Sequence, residues 1–364
     1  MKLTKSINKK LLNEIIGAFI AILGVTSIAN AATITVDNKT NAVAMYTSLQ
    51  DAVDAASAGD VILVAGSPTL YGDVTIDKQL SVIGAGYQYV SVQQGYYSRV
   101  GNITLTTGTS TSASSSYFSG LDRPTFILGN NITSITIERC YVANVGMDSG
   151  SSLDMRNSIV TGQINAGGAN YNNSNPSRQV DINIYNSIIG RIDSKNELSN
   201  ILIDHCLFYR AFTYFGIINA IINNSIFYGG DTQLYLDRAI GCNFNHCLSY
   251  GTTGTIISGT NSGGNNINNT DPLFSNFSST YIHQIFDKLD DYRLQTGSPA
   301  IGAASDGTDI GIYGGSYPFP VGGEGEFLMA APPQIPQIYE MNIQNATVPV
   351  NGTLSVQVKA KKID

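Results

Sequence analysis

The chain has 364 residues, of which 43% are hydrophobic and only 13% are charged, with 37 glycines and no tryptophan. This composition excludes a disordered chain. The formal net charge of -7 argues against nucleic acid and anionic membranes as partners.

The N-terminus has the three parts of a secretion signal. Four lysines lie within the first ten residues, an apolar run covers residues 15–25, and Ala29-Asn30-Ala31 resembles a cleavage site. The apolar run is short for a membrane anchor. We therefore predict a signal peptide at residues 1–31 and a secreted or cell-surface protein without membrane insertion. Loss of four lysines and one glutamate moves the formal charge from -7 to -10.

Residues 47–58 predict an amphipathic helix with Ser48 as a candidate N-cap. We expect this helix to cap the first coil of a solenoid, whose open strand edges need protection. Short apolar segments at 61–65, 74–76 and 80–83 predict the first strands, and the Ser/Thr/Gly-rich segment 107–119 predicts a loop.

A repeat of about twenty residues then occurs six times. Its central residues are Arg139, Asn157, Asn186, His205, Asn224 and His246, at spacings of 18, 29, 19, 19 and 22. The residues two and four positions before each centre are apolar in every copy, which is typical of strands with one buried face. Asn and His are suited to a corner with positive φ; Arg139 fits less well, and a wider first turn is expected there. A predicted loop at 165–179 explains the longest spacing.

The residue after each centre is small. These residues are Cys140, Ser158, Ser187, Cys206, Ser225 and Cys247. Because Cys206 and Cys247 are two coils apart, roughly 9 to 10 Å, a disulfide between them is out of reach. Cys242 occupies an apolar row of the repeat. We therefore predict four buried free thiols rather than disulfides.

A period near twenty indicates a solenoid, and recurrence in one chain direction indicates parallel strands. The predicted fold class is all-β: a right-handed parallel β-helix solenoid over residues 32–317, with a short N-terminal capping helix. The repeat resembles that of pectate-lyase-like proteins. Segments 271–274, 291–294, 297–302 and 309–315 resemble the C-terminal coil and cap of secreted bacterial β-helix proteins of the Bacteroidetes type. This resemblance covers residues 45–316 and implies no settled activity.

Residues 318–336 are rich in Pro and Gly and predict a linker, and residues 337–364 predict a small hairpin-like β extension.

One further row of the repeat needs a cover. Its members, two residues after each centre, are Tyr141, Ile159, Ile188, Leu207, Ile226 and Leu248. Alternation points this row outward although it is entirely apolar, so we expect another segment to cover it. The C-terminal extension is one candidate.

The candidate ligand site contains two arginines, Arg191 and Arg210, each five residues after a centre on adjacent coils. Like charges stacked at roughly 5 Å repel unless an anion lies between them. The pattern, with Asp193 and Lys195 beside it, predicts contact with a uronate or sulfate. Tyr185, Tyr209 and Tyr214 are candidate sugar platforms.

Catalytic interpretations have weaker support. The segment 201–206 resembles a stretch of pectate lyases, but the repeat already explains each of its positions, and no catalytic residue is assigned. Asp306 and Asp309 are weak candidates for a calcium loop. We predict no cofactor, with Ca²⁺ required only by a lyase. The predicted protein is an exported monomer that binds a polysaccharide or cell-surface glycan or serves as an adhesin-like scaffold. The alternative is a polysaccharide lyase or glycoside hydrolase that acts on an acidic polysaccharide.

Overall fold

The structure, a computed structural model, describes residues 31–86, 97–166, 178–194, 196–209, 216–229, 234–276, 291–319, 337–343 and 356–361. Two parallel sheets of 11 strands each dominate it. Sheet A contains β1 (Thr33–Val36), β2 (Val61–Val64), β4 (Ser81–Gly84), β6 (Tyr117–Ser119), β8 (Ile135–Glu138), β11 (Ser152–Arg156), β13 (Asp181–Tyr185), β15 (Asn200–Asp204), β18 (Ile221–Asn223), β21 (Asn243–Asn245) and β24 (Ser262–Gly264). Sheet B contains β3 (Val74–Ile76), β5 (Asn102–Leu105), β7 (Thr125–Leu128), β9 (Tyr141–Val142), β10 (Asn144–Met147), β12 (Ile159–Asn165), β14 (Ile188–Ser194), β16 (Leu207–Phe208), β17 (Gly216–Ile217), β19 (Ile226–Tyr228) and β22 (Leu248–Tyr250).

The chain alternates between the two sheets, and each strand pairs with strands one coil away. Ile182 of β13, for example, lies in register with Leu153 of β11 and with Ile201 of β15. Side chains of equivalent repeat positions therefore form columns across the coils. This arrangement confirms the predicted parallel β-helix.

The predicted helix is also confirmed, as α1 (Leu49–Ala55), with the Ser48 hydroxyl accepting a hydrogen bond from the Asp51 amide at 3.2 Å. Its buried residues contact β1, β2 and β3. The predicted loop 107–119 is wrong at its end, where Tyr117–Ser119 forms β6 between β4 and β8. The cause is Phe118, which is fully buried in the column of Val82 and Ile137.

All six repeat centres are corners with positive φ, between 43° at Asn186 and 53° at Arg139. The expectation of a wider turn at Arg139 is therefore wrong: this side chain adopts the same corner as Asn and His. Two more corners extend the series, Gly120 with φ 66° and Asn265 with φ 56°. Register places Gly120 one coil before Arg139 and Asn265 one coil after His246.

The two inward rows of sheet A are buried in every copy of the repeat, as predicted. The Ser/Cys row behind the corners is buried as well and forms a polar column inside the solenoid. Ser158 illustrates its pattern: the hydroxyl donates to the Arg156 carbonyl at 2.8 Å and accepts from the Cys140 amide at 3.2 Å. The four cysteines are free and buried, as predicted.

The apolar row two residues after the corners is covered by the segment after the last coil. The strands β25 (Phe274–Asn276) and β26 (Asp291–Leu294) pair antiparallel, and Phe274 packs against Tyr228 with ring centroids 5.5 Å apart. Residues 298–319, here called the strap, continue the cover. The second core cluster joins the row to seven residues of this region: Phe274, Tyr292, Ala300, Ala304, Ile310, Ile312 and Phe319. The expected cover of the row is therefore supplied by this region, and docking of the C-terminal extension stays a prediction.

The strap runs back along the corners, and the corner side chains bind it. Asn186 donates to the carbonyls of Ile312 at 3.0 Å and Gly314 at 2.7 Å. Asn157 donates to the Tyr317 carbonyl at 2.8 Å, and the Asn224 amide oxygen accepts from the Ser305 backbone amide at 2.8 Å. These three corner residues thus serve twice, as positive-φ turns and as hydrogen-bonding groups for the strap.

The remaining elements are short. A 3-10 helix covers Leu236–Arg238, and β20 (Leu234–Tyr235) pairs with β23 (Thr252–Thr253). In the C-terminal extension, β27 (Gln337–Ile343) pairs antiparallel with β28 (Val356–Lys361). Among the residues that the structure describes, no helix has the length and apolar character needed to span a bilayer. The predicted signal peptide falls on residues 1–30, which lie outside the described ranges, and on residue 31.

Candidate functional site

The predicted arginine pair is described only in part. Arg191 lies on β14, and its guanidinium is 2.8 Å from a carboxylate oxygen of Asp193, with 19% of its side chain exposed. The positive charge of Arg191 therefore already faces a carboxylate within its own strand. Arg210 and Lys195 lie outside the described residues, so their stacking with Arg191 stays a prediction.

Of the predicted tyrosine platforms, Tyr214 lies outside the described residues, and Tyr209 directly follows a strand of sheet B. Tyr209 is partly buried and packs against the second core cluster. Tyr185 lies on β13 of sheet A, whereas Arg191 lies on β14 of sheet B. Tyr185 and Arg191 therefore belong to different sheets, on the two sides of the Asn186 corner.

The weak calcium candidates Asp306 and Asp309 use their carboxylates within the strap. Asp306 accepts from the Thr308 hydroxyl at 2.6 Å and from the Thr308 amide at 3.0 Å, and Asp309 accepts from the Gly302 amide at 2.9 Å. The hydrogen bonds from Thr308 lower the pKa of Asp306. Within the described ranges, no group of three or more His, Cys, Asp or Glu side chains is placed to hold a metal ion.

His205, the corner residue of the lyase-like segment, is enclosed by the strap, with 2% of its side chain exposed. Its Nε2 lies 3.2 Å from the Thr308 hydroxyl, and its Nδ1 lies 3.0 Å from Asp204. A Cβ atom built on Gly314 or Gly315 would lie 2.8 and 2.7 Å from the imidazole ring, so only glycines let the strap pass over His205. His205 therefore holds the strap and is not open to a substrate.

The outer face of sheet A carries two columns of mostly half-buried polar and aromatic groups beside the strap. One column lies next to the corners and consists of Glu138, Arg156, Tyr185, Asp204, Asn223 and Asn245. The column beside it consists of Thr136, Asp154, Asn183, Leu202, Ile221 and Asn243. Strand alternation points both columns outward, so equivalent side chains repeat about every 4.8 Å along this face.

Tyr317 of the strap joins this face beside Tyr185. The two ring centroids are 5.7 Å apart with an interplanar angle of 59°, and the Arg156 guanidinium lies over the Tyr317 ring at 4.9 Å. Tyr317 is 41% exposed. Asn157 of the corner holds the backbone of Tyr317, and the contacts with Tyr185 and Arg156 place its ring.

Carboxylates and amides surround the aromatic pair. Asn183 donates to Asp154 at 2.8 Å, and Asn224 donates to Asp204 at 2.9 Å. The pKa of the Tyr185 hydroxyl is raised, first by burial and then by the negative charges of Asp154 and Asp204, while Arg156 opposes the shift. We call the following six residues the Tyr185 patch: Asp154, Arg156, Asn183, Tyr185, Asp204 and Tyr317.

Tyr185 is the only residue of this patch that the sequence predicted to bind a ligand. Tyr317 is 132 positions further along the chain, and its place depends on how the strap runs. The apolar row gave a signal that some segment covers that row, but no pattern in the sequence aligned Tyr317 with Tyr185.

Comparisons with known proteins give no assignment for this arrangement. No protein-family model matches the chain. A search of curated proteins also finds no match.

Proposed function

We propose that this protein is an exported, pectate-lyase-like β-helix that binds glycan through the Tyr185 patch, as a soluble or surface-attached scaffold. The observation that carries the proposal is the exposed Tyr317 ring beside Tyr185, with hydrogen-bonding side chains at the next strands. Aromatic rings offer apolar faces to the C–H surface of a sugar, while carboxylates and amides bind its hydroxyl groups.

Export is supported by the signal-like N-terminus, and a surface role agrees with an acidic net charge of -7. The outer face of sheet A supports binding to an extended polymer, because it repeats one column position per coil. The proposal assigns no catalytic residue.

The test is binding to an array of plant, algal and bacterial glycans. We expect wild type to bind at least one glycan class and Tyr317→Ala to weaken that binding about tenfold, in the range of one aromatic contact. Tyr317→Ala keeps the backbone carbonyl that Asn157 binds, so the strap stays docked. Leu198→Ala, which truncates a side chain that is 72% exposed, is the remote control and should bind like wild type.

Two other outcomes decide against the proposal. A purely structural surface protein would bind no glycan while retaining its β-sheet circular dichroism. An acidic-polysaccharide lyase would release unsaturated uronate products, detected by ultraviolet absorbance during incubation with pectate or alginate. The first result would show that the protein does not bind glycans. The second would show that it is an enzyme rather than a binding protein.

A further inference from the structure

The charge around the Tyr185 patch restricts the glycans that it can bind. The outward positions of β8, β11, β13 and β15 hold four carboxylates, Glu138, Asp154, Asp181 and Asp204, against one guanidinium, Arg156. Arg139 at the neighbouring corner is buried, and its Nε lies 3.6 Å from Glu138. The strap adds Asp306, whose side chain is 43% exposed.

The one guanidinium on the outer face is engaged in the patch itself. Arg156 lies over the Tyr317 ring at 4.9 Å, an arrangement in which a cation is attracted to the ring face. The planar face of the Arg156 guanidinium is therefore occupied by the Tyr317 ring. A bidentate bond from Arg156 to a sugar carboxylate would also have to overcome repulsion from the neighbouring Asp154 and Asp204.

The polar groups next to the rings suit hydroxyl groups. A carboxylate accepts hydrogen bonds only, and an amide both donates and accepts. Asp154 and Asn183 already bond to each other at 2.8 Å, and together they present acceptors and a carboxamide beside Tyr185. Sugar hydroxyls donate and accept, whereas the carboxylate of a uronate and the sulfate group of a sulfated sugar only accept.

The patch spans three neighbouring strands of sheet A, from Asp154 on β11 through Tyr185 on β13 to Asp204 on β15. At about 4.8 Å per strand, this distance is roughly 10 Å. A ligand that contacts all three positions must cross the coils along the solenoid axis and extend over more than one sugar ring.

We propose that the Tyr185 patch binds neutral, hydroxyl-rich polysaccharide chains laid across the coils, and that its carboxylates exclude uronate and sulfated glycans. This inference rests on the proposed glycan-binding function and names its substrate class. It differs from the acidic ligand predicted for Arg191 and Arg210, because Arg191 faces Asp193 and the exposed patch is acidic.

The test compares neutral and acidic hexasaccharides of similar length by isothermal titration calorimetry. Cellohexaose, xylohexaose and mannohexaose are the neutral probes, and hexagalacturonate and hexamannuronate are the acidic ones. We expect at least one neutral probe to bind ten or more times more tightly than either acidic probe at low ionic strength. The difference should narrow as salt screens the carboxylates, whereas neutral binding should change little.

A variant with one carboxylate fewer tests whether charge repulsion, rather than the shape of the patch, weakens the binding of acidic probes. Asp154→Asn keeps an acceptor for Asn183 and removes one negative charge, so acidic probes should bind on the order of fivefold more tightly. Asp51→Asn on α1 makes the same change in net charge away from the patch and is the matched control. It should leave the binding of both probe classes unchanged.

Each outcome has one interpretation. Tighter binding of an acidic probe, or acidic binding that appears only with added Ca²⁺, would overturn the inference and leave the proposed glycan-binding function standing. Absence of binding to every probe and to the whole array, by folded protein, would overturn the proposed function itself. Equal responses of Asp154→Asn and Asp51→Asn would contradict charge exclusion at the patch.

Discussion

At the scale of single residues, the corner position combines two demands. Its backbone has positive φ, which costs most L-residues roughly 1 kcal/mol, and Asn and His tolerate it better than aliphatic residues. At Asn157, Asn186, His205 and Asn224 the side chain also reaches the strap; Asn186, for example, donates to the Ile312 and Gly314 carbonyls. Glycine meets the first demand only, and Gly120 stands where the corner has no such bond among the described residues.

Two substitutions at Asn186 separate these demands. Asn186→Gly keeps the corner and loses both hydrogen bonds to the strap, so we expect a loss of about 1–2 kcal/mol in the free energy of unfolding. Asn186→Ala should lose about 1 kcal/mol more, because φ is 43° there. Urea unfolding measures both values. Equal stability of the two variants would show that the backbone conformation contributes nothing measurable.

At the scale of elements, the strap and the β25–β26 pair cover a row that the solenoid cannot bury by itself. Ile159, Ile188 and Leu207 are at most 1% exposed because the strap lies over them. Uncovered, the row would be a continuous apolar surface, which soluble proteins rarely leave open. The strap is therefore part of the fold, and it also supplies Tyr317 to the patch.

Replacing Ile312 tests the docking of the strap. Ile312→Asp buries a carboxylate in the second core cluster, where Ile312 is 3% exposed, so the strap should detach while the coils remain paired. Hydrogen exchange should then become fast at the amides of Gly311 and Phe319, which bond to Asn224 and Ile312, and stay slow in β13 and β15. Tyr313→Phe, which keeps the ring, is the control. Loss of protection in both sheets would show that strap and solenoid unfold as one unit.

At the scale of the whole molecule, columns that run across the coils couple the coils to one another. The Ser/Cys row is one such column, with each hydroxyl bonding to the coil before it. Burial raises the pKa of Cys140 and Cys247 to about 12, and it raises the pKa of Cys206 as well. These thiols are protonated in the folded chain at a pH where unfolded thiols ionise.

The stability of the molecule should therefore fall in alkali. The contribution of each thiol is fully present below its unfolded pKa of about 8.5 and is lost as pH rises toward its folded pKa, at about 1.4 kcal/mol per pH unit. Urea unfolding under reducing conditions at about pH 7.5, 8.5 and 9.5 measures this slope. The triple variant Cys140→Ser, Cys206→Ser, Cys247→Ser matches the serines of the row and should have a flatter profile. An unchanged slope in that variant would exclude the thiols as its source.

The sequence by itself determined the solenoid. Its repeat fixed the parallel columns, the corners, the buried rows and the free thiols, because each of these depends on contacts between equivalent positions about twenty residues apart. Only the tertiary structure decided what lies over the corners and which polar groups form a surface. Tyr317 meets Tyr185, and His205 lies under Gly315, through contacts between non-repeating segments. Such contacts depend on the path of the chain after the last coil, and no periodic pattern records that path.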